Sequence, residues 1–125
     1  NWLILLNALA CGLFTNNLLV INNIRDCEED RVSGKRTTIV LFGKPFGRKL
    51  IAISCLFASA IPIINALVTE SFLPLLGIIP PCLCWTQIKN ILTEESKESL
   101  YKLLKNTGLN VFLYGILVSL GFFLN

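Results

Sequence analysis

The stretch WLILLNALACGLFTNNLLVINNIRDCEEDRVSGKRT, residues 2 to 37, decides the fold. Its first part, Trp2 to Ile21, carries no formal charge, and a helix of about 20 such residues is what ~30 Å of hydrocarbon requires. The run ends in Asn22-Asn23-Ile24-Arg25-Asp26-Cys27-Glu28-Glu29-Asp30, with Gly34-Lys35-Arg36-Thr37-Thr38 close behind. Carboxylates at a bilayer exit are costly, so their presence there points to chemistry. No basic segment precedes the run and three asparagines, Asn7, Asn16 and Asn17, lie inside it, which reads as a mature span rather than a cleaved signal. The lack of methionine and the abrupt apolar start at Asn1 are expected of a piece of a longer protein.

Working outward, 54% of residues are hydrophobic and only 15% charged, a composition that suits a multi-pass membrane protein. Leu50 to Val68, Phe72 to Ile88 and Leu109 to Leu124 are further apolar runs of near-spanning length. The expectation is an all-α membrane bundle of four spans in one domain over 1–125, with helices at about 2–24, 50–68, 72–90 and 107–124. All 11 Lys and Arg fall in residues 25–49 or 89–105, whereas the connection between the second and third spans holds only Glu70. By the positive-inside rule both basic segments are cytoplasmic, and the acidic motif opens to that side. Basic loops beside spans also explain the net charge of +3 without a nucleic-acid partner.

The five cysteines form no CxxC pair, and four of them lie in apolar runs, where they serve as small packing residues. With no histidine in the chain, zinc sites of the usual type and Ser-His or Cys-His catalysis are disfavoured.

Helical projection at 100° per residue places Gly12, Thr15, Asn16, Asn22, Asn23, Asp26 and Asp30 on one side of the first span, expected to face a bundle interior. Leu3, Leu6, Leu13, Phe14, Ile21 and Ile24 fall opposite, with Asn17 as the polar exception among them. Val32-Ser33-Gly34 should end the helix, because glycine accepts a left-handed cap. Thr37 to Phe42 is expected as a loop or short helix over the site, and Gly43, Pro45 and Gly47 as the turn into the second span. Pro62, Pro74, Pro80 and Pro81 should bend their helices and free carbonyls that need partners within protein. Thr93 to Lys105 reads as an interfacial helix leading to the last span, whose Thr107, Asn110 and Tyr114 recur at helical spacing as polar interior or interhelical glue.

If the helix continues through the motif, Asn22, Asp26 and Asp30 lie within about 80° of one another. Two aspartates one turn apart offer oxygen ligands alone, the set suited to magnesium completed by water and phosphate. Lys35 and Arg36 are placed to neutralise such an anion. The simpler alternative is that Asp26, Glu28, Glu29 and Asp30 merely pair with Arg25 and Arg31 on a solvated helix end. A cation transporter would be expected to hold its acids at mid-bilayer on broken helices, and a purely structural subunit would bind no phosphorylated ligand.

The pattern from Asn22 to Asp30, followed by Gly34-Lys35-Arg36-Thr37 and Gly43, resembles the second aspartate-rich motif of the UbiA-type membrane prenyltransferases. It is most similar to the branch that prenylates 1,4-dihydroxy-2-naphthoate with loss of CO2 in menaquinone synthesis. Leu103 to Asn110 with Gly115 resembles the start of that group's last helix. The resemblance implies a bundle of about nine helices in two similar halves, of which this chain is the later. It further implies Mg2+ held by Asp26 and Asp30, and a polyprenyl diphosphate contacted by Asn22 or Asn23, Lys35 and Arg36. The remaining partners implied are the naphthoate acceptor, the bilayer and an amino-terminal half with its own aspartate-rich motif.

Overall fold

In a computed structural model, which describes residues 2–91 and 96–124, every regular element is helical. Chain order is α1 (Trp2–Arg25), α2 (Cys27–Val32), α3 (Thr38–Phe42), α4 (Lys44–Thr69), a 3-10 helix (Leu73–Ile78), α5 (Ile79–Ile91) and α6 (Lys97–Phe123). Helices α1, α4 and α6 have 24, 26 and 27 residues and are long and apolar enough to cross a membrane. The expected third span, Phe72 to Ile88, instead begins as a 3-10 helix and continues as the 13-residue α5. Pro80 and Pro81 remove two consecutive backbone donors at that junction, so the α-helical ladder cannot run through it.

Two expected boundaries shift. Pro45 occupies the first turn of α4, where its missing N–H costs nothing, so the second span starts at Lys44 and Gly47 lies inside it. At the other end, α6 is one helix from Lys97 into the last span; Thr93 to Glu95, the start of the expected interfacial helix, fall outside the described residues.

Contacts between helices keep an antiparallel register. Asn7 meets Asn65, Asn17 meets Cys55, and Gly47 lies against Ile24, so α1 and α4 run side by side in opposite directions. Phe14 meets Tyr114 edge-on with ring centroids 5.3 Å apart, and Arg25 meets Tyr101, which pairs α1 with α6. The 3-10 helix and α5 return along α4: Gly77 approaches Pro62, and Cys84 faces Cys55.

Among the buried residues of α1, Leu3, Asn7, Ala10, Phe14, Asn17, Ile21 and Ile24 recur at alternating spacings of four and three, with Val20 buried beside them. Gly47, Ile51, Ser54, Ala58, Ile61 and Asn65 repeat that spacing on α4, the seam of helices that wrap in left-handed fashion. The described residues pack on the face of α1 that carries Phe14, Asn17, Ile21 and Ile24, and Gly12, Thr15 and Asn16 on its polar side are exposed. Asn7 and Asn65 exchange both amide hydrogen bonds, at 3.1 and 2.8 Å, where no water competes.

Pro62 leaves the carbonyl of Ala58 without its helical donor, and Tyr114 Oη donates to that carbonyl at 3.0 Å. The freed group thus finds its partner in protein, as the sequence requires. Thr107 and Asn110 are buried on the same face of α6, beside Cys84 and Gln87. Tyr114→Phe is expected to cost roughly 1–2 kcal/mol by leaving a buried carbonyl unpaired. In a Pro62→Ala background, where a backbone N–H can serve Ala58, the same change should cost much less. Equal losses of thermal stability in the two backgrounds, measured in detergent, would refute the capping role.

Candidate functional site

Helix α1 ends at Arg25 and α2 begins at Cys27, with Asp26 between them at φ −95°, ψ 6°. The backbone ladder nevertheless passes through: Asp26 N–H donates to Asn22 O at 3.0 Å and Asp30 N–H to Asp26 O at 2.8 Å. Asn22, Asp26 and Asp30 are accordingly successive rungs on one side of a nearly continuous helix.

The end of α2 then folds the basic loop back. Gly34 adopts φ 76°, its N–H donates to Arg31 O at 3.2 Å, and Lys35 N–H donates to Asp30 O at 2.9 Å, the paired bonds of a Schellman ending. This return brings Lys35 Nζ to 2.9 Å from Asp30 Oδ1. The Asp30 side chain is only 8% exposed, while that of Lys35 is 67% exposed.

Asp26 is held differently. Arg25 grips it through two parallel bonds, Nε to Oδ1 at 2.7 Å and Nη2 to Oδ2 at 2.8 Å, and also donates from Nη2 to Asn22 Oδ1 at 2.7 Å. The guanidinium carbon lies 5.1 Å from the ring centre of Tyr101, so α6 supports the arginine from behind. Lys97, one turn earlier on α6, pairs with Glu29. Glu28 pairs with Arg31 on the solvated side at 3.1 Å.

Of the four acids, Asp26 pairs with Arg25 and Glu28 with Arg31, as the simple ion-pair alternative expects, whereas Glu29 pairs with Lys97 and the buried Asp30 with Lys35. The hydrogen bonds from Arg25 hold the Asp26 carboxyl below the usual carboxylate range, and Asp30 holds the Lys35 ammonium above its usual value. A depressed acid stabilises the fold at all pH values above its ordinary pKa and loses that contribution only as pH falls through the lowered value, so the Asp26 pair is intact at neutral pH.

Helix α3 closes the loop side. Thr37 caps it by accepting from Val40 N–H at 3.2 Å, and Ile39 is fully buried where α3 packs on α1, α2 and α4. The expected short segment is therefore a helix, wedged by Ile39 against Gly47 and beneath Cys27. Asn23 is half-buried on α1, and Arg36 is exposed and shares no hydrogen bond or ion pair with a described residue.

Asp26, Asp30 and the Asn22 amide offer oxygen donors alone, the type that a hard cation takes, with Arg25 bonded to Asn22 Oδ1 and both Asp26 oxygens. Among the described residues no group of three or more His, Cys, Asp or Glu is placed to hold a metal ion, and two aspartates with an amide are a partial set of ligands. That partial set suits magnesium, which typically keeps water and phosphate oxygens in its shell. Arg25, Tyr101 and Lys97 were not singled out as site residues; Arg25 stands inside the motif, whereas nothing in the local sequence ties Tyr101 or Lys97 to it.

The sequence profile of the UbiA prenyltransferase family matches residues 1–116. The chain is 30% identical over 125 residues to 1,4-dihydroxy-2-naphthoate octaprenyltransferase of Escherichia coli (strain K12), an alignment that covers 98% of this chain and 40% of that protein. The chain therefore spans about 40% of the length of the curated relative it matches. No solved structure matches it significantly.

Proposed function

Because the chain belongs to the UbiA prenyltransferase family, we propose that it forms the diphosphate-binding part of an enzyme that transfers a polyprenyl group to 1,4-dihydroxy-2-naphthoate. The observation that carries this reading is the alignment of Asn22, Asp26 and Asp30 at the end of a membrane-spanning helix, with Arg25 and Lys35 against the carboxylates. A carboxylate pair ringed by cations at the membrane boundary suits an anionic headgroup attached to an apolar chain. The relative's name supplies the acceptor.

In this proposal Asp26 and Asp30 would hold Mg2+, and Asn22 or Asn23 would assist in orienting the diphosphate. The bound ion would supply Lewis-acid stabilisation of the charge that accumulates on the departing diphosphate. Arg25 and Lys35, already bonded to the two carboxylates, keep those groups aimed. Arg36 is free to reach phosphate oxygens from the loop. As the allylic C–O bond breaks, its electron pair leaves with the diphosphate, and the electron-rich ring carbon bearing the carboxylate attacks the allylic carbon. Loss of that carboxylate as CO2 returns its bonding pair to the ring and restores aromaticity. The apolar surroundings exclude water from the reactive carbon.

The proposal includes four passes, the Leu73–Ile78 and Ile79–Ile91 helices together forming the third. Both basic segments would then face the cytoplasm, from the all-to-none division of Lys and Arg between the two sides. A cysteine introduced beside Glu70, in a background without native cysteines, should react with an impermeant thiol reagent applied from outside. Reaction only from the cytoplasm would invert the topology.

The assay is prenyl transfer by the full-length protein with each substrate varied in turn. Lys35→Ala and Arg36→Ala should raise KM for the prenyl diphosphate by several-fold more than KM for the naphthoate, since their charge complements phosphate. Equal effects on both substrates would reduce the loop to a structural role. No transfer to the naphthoate, with transfer to another aromatic acid, would keep the family chemistry and overturn the acceptor.

A further inference from the structure

A second feature lies away from the acidic motif, on the outer surface where α4 and α5 meet. A groove of about 580 Å³ is lined there by Ala52, Ile53 and Leu56 of α4 and by Pro81, Cys82 and Trp85 of α5. Ser59 and Thr86 are the hydroxyls on its wall, and each is bonded to a backbone carbonyl of its own helix, at 2.8 and 2.9 Å to Cys55 O and Leu83 O. The groove therefore asks nothing polar of its occupant. Its size falls within the usual range for small-molecule sites.

Pro62 facing Gly77 and Cys55 facing Cys84 fix the register of the two strands of helix, each pair one heptad from the next. Continued toward the acidic motif, the same register brings Lys89 level with Lys49 and Leu50. Lys49 is one turn from Ile53 along α4, and Lys89 is one turn from Trp85 along α5. Both lysines are exposed, and neither is ion-paired with a described residue. Two cations thus stand at the end of an exposed apolar groove nearest the acidic motif.

From this placement we infer that the α4–α5 groove seats an acyl chain of an anionic phospholipid whose phosphate is held between Lys49 and Lys89. The site is separate from Asp26 and Asp30 and does not depend on the prenyl-transfer proposal. Apolar fit alone would take any chain; the lysine pair selects an anionic headgroup over a zwitterionic one. Each lysine near a membrane surface contributes roughly fivefold in affinity for acidic lipid, so the pair gives roughly thirtyfold. Trp85, one turn from Lys89 and on the groove wall, is the type of side chain that anchors at the membrane interface.

The test uses purified, delipidated full-length protein offered dioleoylphosphatidylglycerol or dioleoylphosphatidylcholine, with retained lipid counted by native mass spectrometry. The expected result is a preference for the glycerol lipid of roughly thirtyfold, abolished in the Lys49→Gln/Lys89→Gln double variant. Both substitutions are on the surface and leave the buried seams untouched. Ala52→Phe, which fills the groove while sparing the lysines, should lower retention of both lipids. Equal retention of the two lipids, a preference that survives loss of both lysines, or retention indifferent to Ala52→Phe would each overturn the inference. Farnesyl diphosphate presents the same chemistry, a phosphate on an apolar chain. If it displaces the glycerol lipid, and the lysine variant loses prenyl transfer, the groove is the donor's seat and not a lipid site.

Discussion

Asp26→Asn and Asp30→Asn should each lower prenyl transfer by the full-length protein by roughly a hundredfold to a thousandfold. Metal stabilisation of a leaving diphosphate is worth several kcal/mol, and in the proposed site each change removes one charged ligand. Each substitution also cuts an ion pair, Asp26 from Arg25 and Asp30 from Lys35. Two further readouts separate chemistry from structure. The magnesium concentration needed for half-maximal rate should rise in both variants, and thermal stability at neutral pH should change little for Asp26→Asn, whose pair with Arg25 is part-exposed. Glu28→Gln is the matched control, because Glu28 is 69% exposed and points to Arg31. Near-normal turnover of both aspartate variants at saturating magnesium would sink the ligand assignment.

The motif itself was open to reading because it is local. Asn22, Asp26 and Asp30 are one helical turn apart, and a backbone ladder that survives the kink at Asp26 preserves that spacing in space. Gly34 was likewise legible as the helix stop, since only the left-handed cap allows the Lys35 return. The partners supplied by α6 were not. Tyr101 and Lys97 reach Arg25 and Glu29 from about seventy positions away, and no local pattern encodes a contact made by tertiary packing.

The choice of the face of α1 that packs on α4 and α6 follows a rule specific to membranes. In water, burial separates apolar from polar residues, so a polar stripe marks the outside and an apolar one the core. In a bilayer both faces are apolar on average, and the helix seams are chosen by small residues and amide pairs instead. The informative signal was the alternating four-three recurrence of Asn7, Ala10, Phe14, Asn17, Ile21 and Ile24, with Asn17 in the seam. The same physics splits the third apolar run. Length alone reads Phe72 to Ile88 as one helix, but Pro74 starts and Pro80-Pro81 end a tighter 3-10 segment, and Gly77 and Gly121 let it press close to Pro62 and against α6.

The exposed stripe leads to the second large effect. Thr15 and Asn16 face outward on a helix that crosses the membrane, and Thr15 turns its hydroxyl back to Cys11 O at 2.7 Å. An asparagine side chain left in hydrocarbon is costly, so a surface of this kind is stable only against protein or a polar cavity. The stripe continues along the same side to Asp26 and Asp30, which together supply too few oxygens to enclose a magnesium diphosphate. These 125 residues expressed alone are therefore expected to insert as helices yet to transfer no prenyl group, with a rate at least a thousandfold below that of the full-length enzyme. Co-expression with an amino-terminal partner bearing its own aspartate-rich motif should restore transfer, and Asn16→Leu should weaken that rescue while leaving insertion of the isolated chain unchanged. Measurable naphthoate prenylation by the isolated chain, in membranes lacking any endogenous enzyme, would mean that the exposed stripe meets lipid or a second copy of itself, and that Asp26 and Asp30 suffice without further ligands.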